Sequence, residues 1–370
     1  MTEPASLPDP LICEQARLSR DARFDGLFFT AVTSTRIYCR PVCPAPTPKL
    51  HNVRYYASAA AAEAAGFRPC LRCRPELAPG NAIWQRGEHV VARALKLIEA
   101  GALEEQSLDA LAMRVGIGAR QLRRLFVERV GAPPSSVHTT RRLLFAKQLL
   151  TETVLPVTEV ALASGFRSLR RFNAAFVQAN RMPPRELRRH PQAAAGATLV
   201  LRLGYRPPYD FETLLAFLRS RALPGVELVD EHSYARVFGP ADAPGWLRVS
   251  AWPEQTGQVC EHALRLQLHC PQPAQLLGVV TKLRRMFDLD ANPQAIAETF
   301  RHDAILGPLI ARRPGLRLPG GWDGFEIAVR AILGQQISVA AARTLATRIV
   351  QRWGELLPAA PMPGLERLFP

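Results

Sequence analysis

Two cysteine pairs, Cys39-x3-Cys43 and Cys70-x2-Cys73, stand 26 residues apart and can converge on one tetrahedral Zn2+, one ion per chain. On spacing alone such a centre is a closed structural site, stapling a unit too small to be held by its own core. Redox pairing is the other use of the same spacing. Cys13, Cys260 and Cys270 are scattered, and this usage suits a metal site in a reducing compartment better than a disulfide framework.

The residues around the pairs carry more. Tyr38-Cys-Arg-Pro-Val-Cys43 and Gly66-Phe-Arg-Pro-Cys-Leu-Arg-Cys73, with Asn52-Val53 and Tyr55, closely resemble the N-terminal domain of the Ada adaptive-response family, over about Asp25 to Pro79. The resemblance implies that Cys39 accepts a methyl group from a DNA methyl phosphotriester, irreversibly and once per molecule. A zinc-bound thiolate stays deprotonated at neutral pH and keeps nucleophilic character. The triester is uncharged at the modified phosphate, and its leaving group is a weakly basic phosphodiester anion, so no general acid is needed. Methylation changes the centre from formally −2 to −1. Thr35, Arg68 and Arg72 match family positions near DNA, whereas Pro46 stands where the founding member has a DNA-contacting arginine.

The elements that must position this centre belong to a longer design. At 370 residues, with 48% apolar and 21% charged residues, the chain reads as a multidomain globular protein. No run of about 18 apolar residues occurs and the first twenty residues lack an apolar h-region, so the expectation is a cytoplasmic protein with no membrane partner. The 47 basic against 32 acidic residues, a net charge of +15, point to a polyanionic partner. Residues 1–78 are rich in turns and aromatics, and Pro41 to Pro48 argues against a long helix there. Helical patterning runs from Trp84 to about His190, Gln192–Thr198 reads as a linker, and Thr198–Leu203 and His262–His269 alternate like half-buried strands. Helical patterns follow at Phe211–Arg221, Pro273–Phe287 and Phe325–Trp353.

The helical part repeats internally. Ser107-Leu-Asp-Ala-Leu-Ala-Met-Arg-Val-Gly116, Leu125-Phe126 and Gly131-Ala-Pro-Pro134 recur as Val157-Thr-Glu-Val-Ala-Leu-Ala-Ser-Gly165, Phe172, Phe176 and Arg181-Met-Pro-Pro184. Each copy is a short helix, a turn at glycine and a second helix. Eight basic residues against Glu128 lie between Arg114 and Lys147, and seven arginines against Glu186 between Arg167 and Arg189. Arg120, Gln121, Arg123 and Arg124, then Arg167, Ser168, Arg170 and Arg171, are candidates for base and phosphate contacts. Leu122, Leu125, Phe126, Phe172 and Phe176 are candidate core. The arrangement resembles the AraC family, whose two helix-turn-helix units are joined by a long helix, here about Ser135–Glu152. Arg181 replaces the helix-ending glycine of the first copy, so Asn180 or Arg181 must take the left-handed turn.

Beyond residue 197, Tyr205-Arg-Pro-Pro-Tyr-Asp210, Ser233-Tyr-Ala-Arg236, Arg313-Pro-Gly-Leu-Arg-Leu-Pro319 and Ala328-Val-Arg-Ala-Ile-Leu-Gly-Gln-Gln-Ile-Ser338 resemble the beginning of 3-methyladenine DNA glycosylase II, the AlkA type. The resemblance implies that Phe217 falls in the alkylbase pocket, unless it is core, and that Gln336 inserts into the base stack. The family's glycine-rich hairpin and following aspartate do not occur before Pro370; Asp288, Asp290 and Asp303 precede the matching helix. The expectation is therefore an incomplete glycosylase portion that releases no alkylated bases.

The expected fold class is multidomain: a small zinc-bound α/β domain (1–80), an all-α double helix-turn-helix domain (85–190), an α+β glycosylase N-terminal domain (197–310) and the start of an incomplete helical domain (311–370). The expected function is an alkylation-damage regulator: Cys39 as single-turnover methyl acceptor, promoter binding to double-stranded DNA, and RNA polymerase as partner. An AraC-type regulator with purely structural zinc, and a glycosylase lacking its catalytic half, are the rivals.

Overall fold

The computed structural model describes residues 7–80, 90–188, 198–253 and 262–370. Trp84, Cys260, most of the expected linker and the first residues of the expected helical region fall outside them.

The first unit opens with a helix that turn-rich composition did not announce, α1 (Pro10–Leu18), N-capped by Asp9, which accepts from the Leu11 amide at 2.8 Å. Its sheet has the order β3-β1-β2-β4, from β1 (Phe29–Val32), β2 (Ile37–Cys39), β3 (Val53–Tyr56) and β4 (Arg68–Pro69). A short α2 (Ala59–Ala64), capped by Ser58, buries four alanines, of which Ala59 and Ala62 join Phe29, Ala31 and Tyr38 of this sheet in one core. The stretch Pro41 to Pro48 forms neither helix nor strand, as proline's missing N–H and fixed φ require.

The second unit holds the repeat as two helix-turn-helix copies. After α3 (Val90–Glu99) and α4 (Ala102–Glu105) come α5 (Leu108–Arg114) and α6 (Ala119–Val130). The 19-residue α7 (Pro134–Glu152) leads to α8 (Val157–Ala163), α9 (Leu169–Asn180) and α10 (Pro184–Leu187). The turns use Gly116 and Gly165 at positive φ. Arg181 itself, not Asn180, ends α9 in the left-handed region at φ 58°, the conformation Gly131 takes at 79°. Leu122, Phe126, Phe172 and Phe176 are fully buried, while Leu125 is half-buried. Helix α7 is buried around much of its circumference, because all three units pack on it.

The third unit is a five-stranded antiparallel sheet of order β5-β9-β8-β7-β6: β5 (Leu199–Gly204), β6 (Glu227–Val229), β7 (Ser233–Phe238), β8 (Gly245–Ala251) and β9 (Ala263–His269). Helices α11 (Phe211–Arg219) and α12 (Leu276–Met286) bury Leu214, Leu215 and Leu283. One contiguous core runs from Phe172 and Phe176 of the second unit to Leu201, Leu266 and Phe287 of the third. Then follow α13 (Pro293–Thr299), α14 (Leu306–Arg312), α15 (Gly324–Leu333) and α16 (Val339–Trp353). The single helical pattern read over Phe325–Trp353 is thus two helices. The break falls where Gly334 follows the last turn, Gln336 adopts φ 59° and Ser338 caps the next helix through the Ala341 amide. Phe325, Ile332 and Trp353 on this pair are exposed.

Candidate metal centre and nucleic-acid interface

The antiparallel pairing of β1 with β2 sets Cys39 opposite Thr30, and the parallel β2–β4 contact brings the second cysteine pair beside the first. The Cys70 amide donates to the Tyr38 carbonyl at 3.0 Å, continuing that ladder. As a result the Sγ atoms of Cys39, Cys43, Cys70 and Cys73 all lie within 4.8 Å of one another. Zinc–sulfur bonds of about 2.3 Å in a tetrahedron imply S···S edges of about 3.8 Å, so the donor set fits Zn2+ with a small inward adjustment. Two backbone amides already point at sulfur: Arg40 N–H to Cys73 Sγ at 3.3 Å and Arg72 N–H to Cys70 Sγ at 3.4 Å. Such outer hydrogen bonds orient ligands and stabilise thiolate charge.

The thiols are not equivalent. Cys70 and Cys73 are buried, whereas Cys39 and Cys43 are partly accessible. Without a cation, four thiols this close cannot all ionise. Hydrogen bonding to Cys43 and Cys70 holds Cys39 above the usual thiol range, and burial followed by its sulfur neighbours does the same to Cys73. Cys43 and Cys70, as acceptors from Cys39, are pulled below it. A divalent cation removes this conflict by stabilising four thiolates together.

Charged side chains that the sequence did not single out surround the loop. Arg40 pairs with buried Asp25 and donates from Nη1 to the Cys73 carbonyl at 3.0 Å. Burial opposes the Arg40 charge, but Asp25 more than offsets it and raises its pKa. Lys147, on α7, donates to the Cys70 carbonyl at 3.1 Å and pairs with Glu76, both side chains being buried. Arg40 could have been found from its position directly after Cys39. Lys147 lies 74 residues beyond Cys73 and reads only as one of the basic residues between Arg114 and Lys147, with no sign of a tie to the metal loop.

Of the expected DNA-facing residues, Thr35 is exposed in the β1–β2 turn, Arg72 is exposed between the last two ligands, and Arg68 is half-buried on β4. Pro46 is exposed. In the repeat, Arg120, Gln121, Arg123 and Arg124 are exposed on α6, and Arg167, Arg170 and Arg171 at and just before α9. Ser168 is half-buried and caps α9, accepting from the Arg171 amide at 3.4 Å. The exposure pattern of 121–130 is the same as that of 171–180, so both second helices present equivalent polar faces opposite their buried phenylalanines. Phe217 is 40% exposed on α11, with the Arg221 guanidinium 3.7 Å from its ring centroid, so it is not core. Gln336 is exposed at the tip of the α15–α16 turn, far along the chain from the metal loop.

Comparison with known proteins places each unit. Residues 12–76 match the metal binding domain of Ada, residues 111–190 a helix-turn-helix domain, and residues 200–323 the AlkA N-terminal domain. The probable bifunctional transcriptional activator/DNA repair enzyme AlkA of Mycobacterium tuberculosis is 38% identical over 348 residues, covering 92% of this chain and 68% of that protein. The DNA-3-methyladenine glycosylase 2 of Escherichia coli is 41% identical over 155 residues, 42% of this chain and 51% of its own length. The bifunctional transcriptional activator/DNA repair enzyme Ada of Escherichia coli is 42% identical over 122 residues, 33% of this chain and 33% of its own length. No helix among the described residues is long and apolar enough to cross a membrane. With a zinc-binding unit, a helix-turn-helix unit and an AlkA-type unit in that order, the chain belongs to the Ada/AlkA family of fused transcriptional regulators and DNA repair proteins.

Proposed function

We propose that Cys39 accepts a methyl group from a DNA methyl phosphotriester and that this raises the affinity of residues 85–190 for promoter DNA. The observation that carries the reading is the inequality within the thiol cluster: Cys70 and Cys73 are buried and accept from backbone amides, while Cys39 and Cys43 stand partly open, and of these two the family resemblance assigns the methyl to Cys39, at the end of β2. The Cys39 thiolate attacks the methyl carbon. A sulfur–carbon bond forms, the carbon–oxygen bond breaks, and the electron pair leaves with the phosphodiester anion. Bound zinc supplies a thiolate that is ionised at neutral pH. Arg40 and Lys147 brace the second ligand pair while the reaction neutralises Cys39.

The reading assigns the domains as 1–80, 85–190, 197–310 and 311–370, activation through RNA polymerase in the cytoplasm, and base-proximal roles for Phe217 and Gln336. Removing one negative charge about 6 Å from a phosphate at an effective dielectric of about 20 is worth up to about 3 kcal/mol before screening. Promoter affinity should therefore rise by up to about a hundredfold on methylation. Anisotropy titrations of a promoter duplex with methylated and unmethylated full-length chain test this. Equal affinities would remove the switch, and absence of methylation on any cysteine would leave the zinc structural.

A further inference from the structure

The stretch that follows the first buried ligand, Cys70–Gly80, crosses both other units. Its Cys70 carbonyl accepts from Lys147 of α7 at 3.1 Å. Arg74, at φ 55°, reaches Thr151 at 3.0 Å and Glu152 at 2.8 Å at the end of the same helix. Glu152 in turn accepts from the Arg202 amide of β5 at 3.1 Å, and Gln148 donates to the Arg202 carbonyl at 2.8 Å. Further on, fully buried Arg206 of the third unit donates to the Pro79 carbonyl at 3.3 Å and to that of Gly80, while its Nε holds the Asp25 carbonyl at 2.8 Å. The Gly80 amide donates to Asp290 at 2.6 Å.

Two glycines make room for this passage. A Cβ on Gly204, the last residue of β5, would sit 2.2 Å from the Leu77 carbonyl oxygen. Two residues further along the strap, a Cβ on Gly26 would sit 1.9 Å from the Pro79 carbonyl oxygen. The backbone at Leu77 and at Pro79 therefore passes too close to Gly204 and Gly26 for either position to carry a side chain.

We propose that Cys70–Gly80 is a strap, anchored at its start by the metal ligands Cys70 and Cys73, that locks the AlkA-type unit onto the zinc and helix-turn-helix units. The inference goes beyond methyl acceptance and does not depend on it, since only metal binding by the four cysteines is used. Occupancy of the metal site governs the docking of a unit that begins more than a hundred residues downstream. Losing the metal frees Cys70 and Cys73, slackens the strap, and withdraws the strap-side partners of Glu152, Arg206 and Asp290 together, leaving them only those within the second and third units and Asp25.

Hydrogen exchange of the full-length chain, read by mass spectrometry with zinc bound and after chelation, tests the coupling. Peptides covering Leu199–Gly204 and Asp288–Ala291 should exchange about tenfold or more faster after chelation, while β7 and β8, away from the strap, keep their protection. A Gly204→Ala variant with zinc still bound should show the same acceleration in the strap and β5, separating strap displacement from metal loss. Faster exchange confined to residues 7–69, with β5 and Asp288–Ala291 unchanged after chelation, would overturn the proposal. So would a Gly204→Ala chain whose strap and β5 stay protected. If that variant fails to fold, the chelation comparison on the native chain decides the matter alone.

Discussion

The ammonium of Lys147 lies 3.1 Å from the carbonyl oxygen of Cys70, so the helix joining the two DNA-reading copies ends its charge on the backbone of a metal ligand. Its other partner is the carboxylate of Glu76, and both side chains are buried to 1% exposure. Fully stranding a buried charge costs about 3–5 kcal/mol, but Glu76 keeps Arg74 at 3.2 Å when Lys147 is removed, so the loss lies at or below that range. Lys147→Met should lower the unfolding free energy by up to that amount, read from the urea midpoint and slope, and adding Glu76→Gln should restore part of it. A single variant as stable as the native chain would mean that the pair has no structural weight.

His138, also on α7, is buried, and among the described residues neither ring nitrogen has a hydrogen-bond partner. Burial, reinforced by Arg142 and Arg141, lowers its pKa from 6.5 to about 4. The unfolded chain therefore takes up this proton first as pH falls. The contribution of neutral His138 is intact above pH 6.5 and is lost between about 6.5 and 4, on the order of 3 kcal/mol in total. His138→Leu should flatten this part of the profile relative to the native chain. Parallel pH profiles for the two proteins would show that the imidazole does not titrate as described.

Arg181 closes the second recognition helix at φ 58°, where Gly131 closes the first. A left-handed residue with a Cβ costs roughly 1–2 kcal/mol, partly offset by the greater unfolded-state freedom of glycine. Arg181→Gly should thus stabilise the chain by up to about 1 kcal/mol, read from the denaturant midpoint. Gly131→Ala should destabilise it, because the new Cβ would stand 2.7 Å from that of Ala61. Opposite signs from these would indicate that the turn is not held in this conformation.

The exposed arginines on and beside the two recognition helices should make DNA affinity fall steeply with salt. Each arginine that touches a phosphate should contribute about one to the slope of log K against log salt. Arg123→Ala and Arg170→Ala, compared with the native chain in salt titrations on a promoter duplex, should each lower that slope by about one or, if the residue reads a base, narrow the sequence preference instead. No change in either quantity would remove that residue from the interface.

Much of this was legible in the sequence because it rests on local spacing. The cysteine pairs, the repeated glycine turns with their buried phenylalanines, and the alternation in β5 and β9 each express one period or one ligand geometry. What escaped involved partners distant in the chain. Asp25, Glu76, Lys147 and Arg206 look like solvated charges, as most such residues are, until the fold brings carbonyls and counter-charges around them. The continuous core between the second and third units escaped too, because each side reads as a complete amphipathic pattern by itself. The α15–α16 break was missed since Gly334 is compatible with a helix and only the Ser338 cap betrays a new start.

The central claim is that Cys39, rather than another zinc ligand, is the methyl acceptor. The direct measurement is peptide mapping of the full-length, zinc-loaded chain after incubation with methyl-phosphotriester DNA. One methyl group should appear on the peptide fragment ion containing Cys39, with zinc retained because a thioether can remain a ligand, and Cys39→Ser should abolish it without abolishing DNA binding. Methyl found on Cys43, Cys70 or Cys73, or on none of the four, would contradict the assignment.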